Sequence, residues 1–372
     1  MSIRNFRALQ DLEVPRLGRV NLIVGKNNSG KSSILEALRI YAQQASHALL
    51  DELVASHDET LTTQVSPGTY DIEQVPYEHF FTGRKFPSNG GGAIYIGDQA
   101  ERDFVRIAHT FYVEEHITDA DGLATTRRIP RTRSEIGEED EKQALLISSS
   151  RREQPRWLST SGSGRTWRAQ TQDPTASPVG YVPTSTLPPS GLADLWDRVA
   201  LTDYDKVVLG GLKIIEPRVE GIAFVKRATS HPRGQGARTA ILRLEGSEHP
   251  VPLNSMGDGM IRVLQLLLLL IPARGGLYLV DEFENGLHYS VQEKVWEMIF
   301  SLAKTYDIQV FAATHSWDCI DAFKNVSLRS SEPALLFRVG QSVKTSEKGK
   351  TIATTFDKEA LAKMTQMDVE VR

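Results

Sequence analysis

Cysteine is almost absent from this chain: Cys319 is the single one in 372 residues. That excludes an intrachain disulfide and suits a reducing compartment. Long hydrophobic runs are missing too. The longest, residues 263–271, contains Gln265 and stops at Pro272, too short to span a bilayer, so it reads as a buried helix. A positive charge excess is lacking: the formal net charge is −4 and the pI about 6.2. Nucleic-acid binding would therefore need a local basic patch. The opening residues lack the charged-then-apolar layout of a signal peptide, because Arg4, Arg7, Asp11 and Glu13 interrupt it. A cytoplasmic protein with no membrane partner is expected. His231, beside Pro232, has no companion at metal-ligand spacing and reads as a surface histidine. The hydrophobic share of 40% and charged share of 24% fit a globular chain with two or three lobes.

The most informative stretch is Gly25-Lys26-Asn27-Asn28-Ser29-Gly30-Lys31-Ser32, followed by Ser33. It matches the phosphate-cradling pattern G-x-x-x-x-G-K-[ST] in full. The preceding Val20-Asn21-Leu22-Ile23-Val24 reads as a buried strand, and Ile34, Leu35, Ala37, Leu38 and Tyr41 fall at helical spacing. Glycines let such a loop curl until its N–H groups point inward, and the helix start adds partial positive charge. Lys31 would reach the β/γ-phosphates of a nucleoside triphosphate, and the Ser32 hydroxyl would ligate Mg2+. The helix is expected to continue through Leu49, Leu50 and Leu53.

Three later segments extend this reading. Gly276-Leu277-Tyr278-Leu279-Val280-Asp281-Glu282 is an apolar strand ending in two acids. Asp281 would hold Mg2+ with Ser32, and Glu282 would polarise the attacking water as general base. Phe311-Ala312-Ala313-Thr314-His315 is a second such strand, and a histidine at its end can hydrogen-bond a γ-phosphate. Leu253-Asn254-Ser255-Met256-Gly257-Asp258-Gly259 opens the greasy helix and forms a second anion-binding nest through Ser255 and Gly257.

The rest of the chain is less explicit. Residues 3–14 read as two short strands joined by a turn. Ala93-Ile94-Tyr95-Ile96 and residues 104–113 are strands, with Asp119-Ala120-Asp121-Gly122 as a hairpin turn, so an antiparallel layer is expected. Residues 127–178 mix Arg127, Arg128, Arg131, Arg133, Arg151, Arg152, Arg156, Trp157, Arg165, Trp167 and Arg168 with the acidic Glu138-Glu139-Asp140-Glu141. Arginine with tryptophan can serve phosphate contact and base stacking. A solvated insertion with partly cancelling charges fits better, because no periodic element presents one basic face. Leu192, Leu195, Trp196 and Val199, then Val207, Val208, Leu212 and Ile215, mark a helical lobe; Phe224-Val225 and residues 240–244 are strands. After His315, residues 335–339 and 351–356 read as strands and 358–366 as a helix.

The order of these motifs, with Glu284-Asn285-Gly286-Leu287-His288 after the paired acids, resembles the ABC-type ATPase superfamily. Within it the chain is similar to the overcoming-lysogenisation-defect (OLD) ATPases and their stand-alone relatives, and its Ile3-Arg4-Asn5-Phe6-Arg7 opening to the SMC and RecF groups. The resemblance covers about residues 1–60 and 250–330. It implies an α/β head with an antiparallel β-layer and inserted helical lobe, divided as 1–125, 126–225 and 226–372. It also implies a homodimer with ATP and Mg2+ sandwiched between one copy's P-loop and the other's Ser255 and Gly257, with Lys31 and Glu282 catalytic and His315 as switch. Arg7 matches an arginine that contacts nucleotide in some relatives. The glutamine that links magnesium to the helical lobe in such ATPases is open among Gln43, Gln44 and Gln99. OLD proteins carry a Toprim nuclease domain; with Asp357, Glu359, Asp368 and Glu370 too few for a metal-holding acid cluster and the segment after the switch too short, this polypeptide is expected to be the ATPase alone. A separately encoded Toprim-like nuclease or effector, in bacterial defence or DNA processing, is the expected partner. A RecF-like clamp that binds DNA directly is the alternative, and a transporter subunit the weaker one.

Overall fold

The computed structural model describes residues 1–57, 59, 64–66, 69–70, 76–87, 92–118, 124–131, 135, 142–152, 155–159, 174–226, 238–342 and 350–364. In chain order these form β1 (Ser2–Phe6), β2 (Leu9–Glu13), β3 (Val20–Val24), α1 (Lys31–Ala42), α2 (His47–Ser56), β4 (Gln64–Ser66), β5 (Thr69–Tyr70), β6 (Ile94–Gly97), β7 (Phe104–Thr118), β8 (Ala124–Arg131), β9 (Lys142–Ser149) and β10 (Arg156–Ser159). There follow β11 (Val179–Val182), α3 (Pro189–Asp197), α4 (Asp203–Leu212), β12 (Val219–Lys226), β13 (Arg238–Leu244), β14 (Val251–Pro252), α5 (Asp258–Leu270), β15 (Leu277–Val280), α6 (Tyr289–Thr305), β16 (Gln309–Thr314), α7 (Trp317–Arg329), β17 (Ala334–Gln341), β18 (Thr351–Phe356) and α8 (Lys358–Lys363).

The chain divides into two units. One comprises residues 17–35, 177–339 and 354–372, the other residues 1–16, 36–176 and 340–353. The first is built on a sheet of order β11-β15-β16-β3-β17-β18, in which β11, β15, β16, β3 and β17 run parallel. Parallel strands are covered on both faces and read as continuous apolar runs, and all five residues of β3 are buried. Its one polar member, Asn21, is satisfied by the N–H and carbonyl of Gly18 and the carbonyl of Val310. The greasy run forms α5, as its composition predicts, with Val263, Leu264, Leu266, Leu267 and Leu270 all fully buried. The predicted helical lobe is α3 and α4, and β12, β13 and β14 form a small antiparallel sheet.

The second unit holds an antiparallel sheet of order β10-β9-β7-β6-β1-β2, with β8 paired to β7. Its core face alternates as half-buried strands do: Val105 and Ile107 on β7 oppose Ser149 and Ile147 on β9, and Ile96 lies opposite Ile3.

Three expectations need correction here. The helix after the P-loop does not run through Leu53. It stops at Ala42 and restarts at His47, because Gln44 and Ala45 take left-handed backbone angles (φ 54° and 48°) that end a helix. Where described, residues 127–178 are not a solvated insertion, since Arg128 and Arg131 lie in β8 and Arg156 and Trp157 in β10, hydrogen-bonded into the sheet. Consequently the 125/126 boundary falls inside β8, and the 225/226 boundary inside β12. The turn at 119–122 and residues Arg133, Glu138 to Glu141, Arg165, Trp167, Arg168, His231, Asp368 and Glu370 lie outside the described residues, and the helix expected over 358–366 stops at Lys363, where Met364 turns extended.

Candidate nucleotide-binding site

Three neighbouring parallel strands deliver the predicted motifs to one end of one sheet. Val280 pairs with Ala312 and Thr314 with Val24, so the segments after β15, β16 and β3 all leave from the carboxyl ends. That is where open parallel sheets bind ligands.

The loop after β3 is held in a single shape. A side chain at Gly25 would overlap the Val339 carbonyl oxygen and crowd the Ser29 hydroxyl, so only glycine fits. Gly30 has φ 100° and Asn28 φ 62°, which curl the loop, and Ser29 N–H closes it on the Lys26 carbonyl at 3.2 Å. Lys26, Asn27 and Asn28 are exposed, while Ser29 and Gly30 are half-buried. Lys31 opens α1, followed by Ser32 and Ser33, and the first turn of a helix carries N–H groups with no partner inside the helix.

Lys31 is buried, and its ammonium donates to the loop's own carbonyls, Gly25 at 2.8 Å and Lys26 at 2.9 Å. Burial pushes its pKa below the ordinary lysine value, against the opposing pull of Asp281, Glu284 and Glu282. Asp281 is buried at the end of β15, and burial raises its carboxyl above the usual range, opposed by a hydrogen bond from Ser32. The two residues expected to hold magnesium are therefore near one another. Their hydroxyl and carboxylate oxygens are the hard donors that Mg2+ takes, with phosphate and water completing the shell. Ser29 Oγ is buried and, among the described residues, has no hydrogen-bond partner. A desolvated cation and an orphaned hydroxyl on the loop, with a desolvated anion at the end of β15, fit a nucleotide phosphate with Mg2+.

Glu282 follows with φ 45°, a left-handed angle unusual for a glutamate and of the kind found where geometry serves a site. His315 leaves β16 with Nδ1 3.8 Å from Glu282 Oε1 and 3.2 Å from Glu284 Oε1. Ser255 lies in a short turn, Leu253–Met256, and Gly257, φ 87°, leads into α5; both are exposed.

Two residues here escaped the sequence reading. Glu284 accepts the His315 backbone N–H at 3.0 Å. Arg262, buried on α5, donates to the carbonyls of Pro183, Asp281 and Glu282, each at 2.8 Å. It fixes the backbone of both acids and ties them to the chain leaving β11. Asn285 and Gln265 bind the next carbonyls there, Thr184 at 2.7 Å and Ser185 at 3.2 Å. A lone arginine amid the leucines of α5 and a third acid after Asp281 were the visible signals.

Arg7 belongs to the other unit. Its guanidinium sits 2.7 Å from Glu36 and 3.4 Å from Glu59, committed to two carboxylates. The three open glutamines are also placed in that unit. Gln44 is buried, donating to the Tyr41 carbonyl at 2.8 Å and accepting from Ser149; Gln43 faces Ser46, and Gln99 bonds Glu13.

A P-loop on the central strand of a parallel sheet, with paired acids on a nearby strand end, defines a P-loop ATPase domain. The chain belongs to the family described as "AAA domain, putative AbiEii toxin, Type IV TA system", whose model matches residues 20–318. It is also 54% identical over 39 residues to the uncharacterized protein MJECL10 of Methanocaldococcus jannaschii; the match covers 10% of this chain and 18% of that one. Among solved structures it overlaps the SMC head bound to the C-winged helix domain of ScpA, with a TM-score of 0.47, 14% identity, and 96% and 97% of the two chains covered. The SMC head domain of Thermotoga maritima gives 0.43 and 12% identity over 96% and 97%. The extended-coil SMC head of Pyrococcus furiosus gives 0.46 and 11% over 97% and 96%. Among the described residues no helix is long and apolar enough to cross a membrane.

Proposed function

We propose that this protein binds ATP with Mg2+, hydrolyses it, and uses the bound state to hold two copies of itself together and so control a partner nuclease or effector. The observation that carries the reading is a buried Asp281 carboxyl lying near enough to Ser32 to be favoured by it, beside a buried Lys31. It joins motifs nearly 250 residues apart into one oxygen-donor set. When bound, Mg2+ would neutralise charge on the β/γ-phosphates. Lys31 would exchange its loop carbonyls for phosphate oxygens, and the Ser32 hydroxyl and Asp281 carboxylate would hold the metal. Glu282 takes a proton from the water whose oxygen bonds to the γ-phosphorus, as the bond to the β-phosphate oxygen breaks and ADP leaves. His315 faces the γ-phosphate and registers its loss. Ser255 and Gly257, exposed on their own copy, cap the nucleotide of a second copy. The ABC-type, OLD-like resemblance makes a separately encoded Toprim-like nuclease the expected partner, in anti-phage defence or DNA processing, in the cytoplasm.

Glu282→Gln tests this. Phosphate release should fall at least about 100-fold, as for loss of a general base. Binding of a fluorescent ATP analogue should persist, and an ATP-dependent dimer should accumulate in light scattering. Hydrolysis at the wild-type rate would overturn the assignment of the base.

A clamp that binds DNA directly is a second reading, supported by one row of the antiparallel sheet. Arg4 lies opposite Tyr95, over its ring at 4.3 Å, and Tyr95 opposite the exposed Arg106. Salt-sensitive, ATP-dependent binding of DNA by the isolated protein would favour it.

A further inference from the structure

The backbone on either side of Glu282 hangs on one buried side chain. Arg262, 3% exposed on α5, gives Nη2 to the carbonyls of Asp281 and Glu282 and Nη1 to that of Pro183, each at 2.8 Å. The first two carbonyls belong to the peptide planes that flank the Glu282 Cα, so one nitrogen sets both of its backbone angles. The second plane is pinned from its other edge as well, where the Phe283 N–H donates to the Ala313 carbonyl at 2.9 Å. Asp281 has the neighbouring strand to hold it, with its N–H on the Val182 carbonyl at 2.9 Å. Glu282 lies beyond that rung and takes φ 45°, a left-handed angle that a glutamate keeps only where its surroundings impose it. Close packing makes the reach possible. A side chain at Gly259 would stand 3.2 Å from the Gly286 carbonyl oxygen, so the turn after β15 lies directly on the start of α5.

The guanidinium also reaches the chain that leaves β11. Gln265, one turn further along α5, takes the Leu187 N–H at 3.3 Å and gives its amide to the Ser185 carbonyl at 3.2 Å. Residues 183–187 therefore lie on α5, and they lead into α3 at Pro189. Burying a guanidinium against carbonyls alone is costly, and its planar fork is what three separate carbonyls need. We propose that Arg262 is a positioning residue for Glu282: it holds the base in its left-handed pose, and through Pro183 it makes that pose depend on the chain entering the helical lobe. The proposal rests on the ATPase reading for its purpose.

The test uses the full chain in phosphate-release kinetics, with Glu282→Gln as the other arm of a double-mutant cycle. Arg262→Met should lower kcat about 100-fold, the scale of a reacting group displaced by about 1 Å. KM for ATP and the Mg2+ concentration giving half the maximal rate should each stay within a few-fold, because Lys31 and Ser32 stand on α1 and Asp281 is bonded to Val182. Added to Glu282→Gln, which already lacks the base, Arg262→Met should change kcat by a few-fold at most. Gln265→Met frees only residues 185–187. It should lower kcat less than Arg262→Met does, and not at all on top of it. Arg262→Lys, a single ammonium that cannot span the fork, should keep a kcat between those of the wild type and the methionine variant, and takes that variant's place in the cycle if it does not fold. Losses that multiply in the cycle would overturn the proposal. So would a wild-type kcat in Arg262→Met or Arg262→Lys, or an Mg2+ requirement raised in step with the fall in kcat. A wild-type kcat in Gln265→Met would overturn the dependence on residues 183–187. A wild type that releases no phosphate would overturn the ATPase reading and the proposal with it, whereas multiplied losses in an active enzyme overturn the proposal alone.

Discussion

The two units treat buried charge in opposite ways. In the antiparallel unit, the buried arginines are matched, with Arg7 between Glu36 and Glu59 and Arg39 reaching Glu52 at 2.6 Å, while the half-buried Arg156 donates to backbone carbonyls. In the parallel unit, Lys31, Asp281 and Arg262 have no oppositely charged partner within 4 Å among the described residues, only carbonyls and a hydroxyl. Burial accordingly pushes all three toward their neutral forms. A paired internal ion holds a fold together, and removing one partner strands the other. A desolvated ion without a counter-charge works against folding and marks a place where a ligand supplies the missing charge. By that measure the parallel unit is the binding unit, and the Arg7 cluster is architecture.

The largest expected effect is that of Lys31→Met. It should weaken ATP binding by at least about 100-fold, the scale of a desolvated charged contact, with the melting temperature of the nucleotide-free protein unchanged or higher. Isothermal titration and thermal melts read both. Arg7→Met should do the reverse. Stranding Glu36 and Glu59 should destabilise the protein by about 3 kcal/mol in urea unfolding, while ATP affinity stays within a few-fold. If Arg7→Met instead abolished ATP binding without loss of stability, the comparison would break and the resemblance-based role for Arg7 would stand.

Asp281→Asn sharpens the contrast through pH. The folded pKa of Asp281 lies above its unfolded value of 3.8, so the folded state binds more protons there. Stability of the nucleotide-free protein therefore falls as pH rises from 3.8 through the raised value. The asparagine variant should lose that fall and be the more stable protein at neutral pH. A urea midpoint that tracks the wild type across the acid range would count against a desolvated Asp281.

The same contrast explains what could be read in advance. A buried parallel strand has to be apolar throughout, so Val20 to Val24, Leu277 to Val280 and Phe311 to Ala313 stand out, and the motif residues sit at their ends. The antiparallel strands expose one face. β9 carries Ala144, Leu145 and Ile147 into the core, yet its flanks are charged enough to suggest a solvated insertion. The break between α1 and α2 was hidden for another reason. Gln44 and Ala45 adopt left-handed angles without a glycine, and partners remote in sequence hold them there. Arg156 of β10 donates to both their carbonyls, and Ser149 of β9 to the Gln44 side chain. Glu284 and Arg262 were visible as residues, but only a turn at Phe283 and a helix face reveal what they touch.

The smallest predicted effect tests whether the matched cluster in the antiparallel unit behaves as architecture. His57 Nε2 lies 2.6 Å from Glu36 Oε1, and that hydrogen bond raises the imidazole pKa above 6.5, against partial burial and the nearby Arg7. A raised histidine stabilises the fold fully below its unfolded value, and the contribution disappears as pH climbs through the folded one. The side chain is 40% exposed, so solvent screens the interaction and the effect should be small. His57→Gln should flatten the decline in urea midpoint as pH rises above 6.5, and ATP affinity should not follow it. An unaltered slope would mean that Glu36 is already neutralised by Arg7 alone. A parallel loss of ATP affinity would mean that the cluster reaches the nucleotide through α1, the helix that carries Lys31, Ser32 and Glu36 on one continuous backbone.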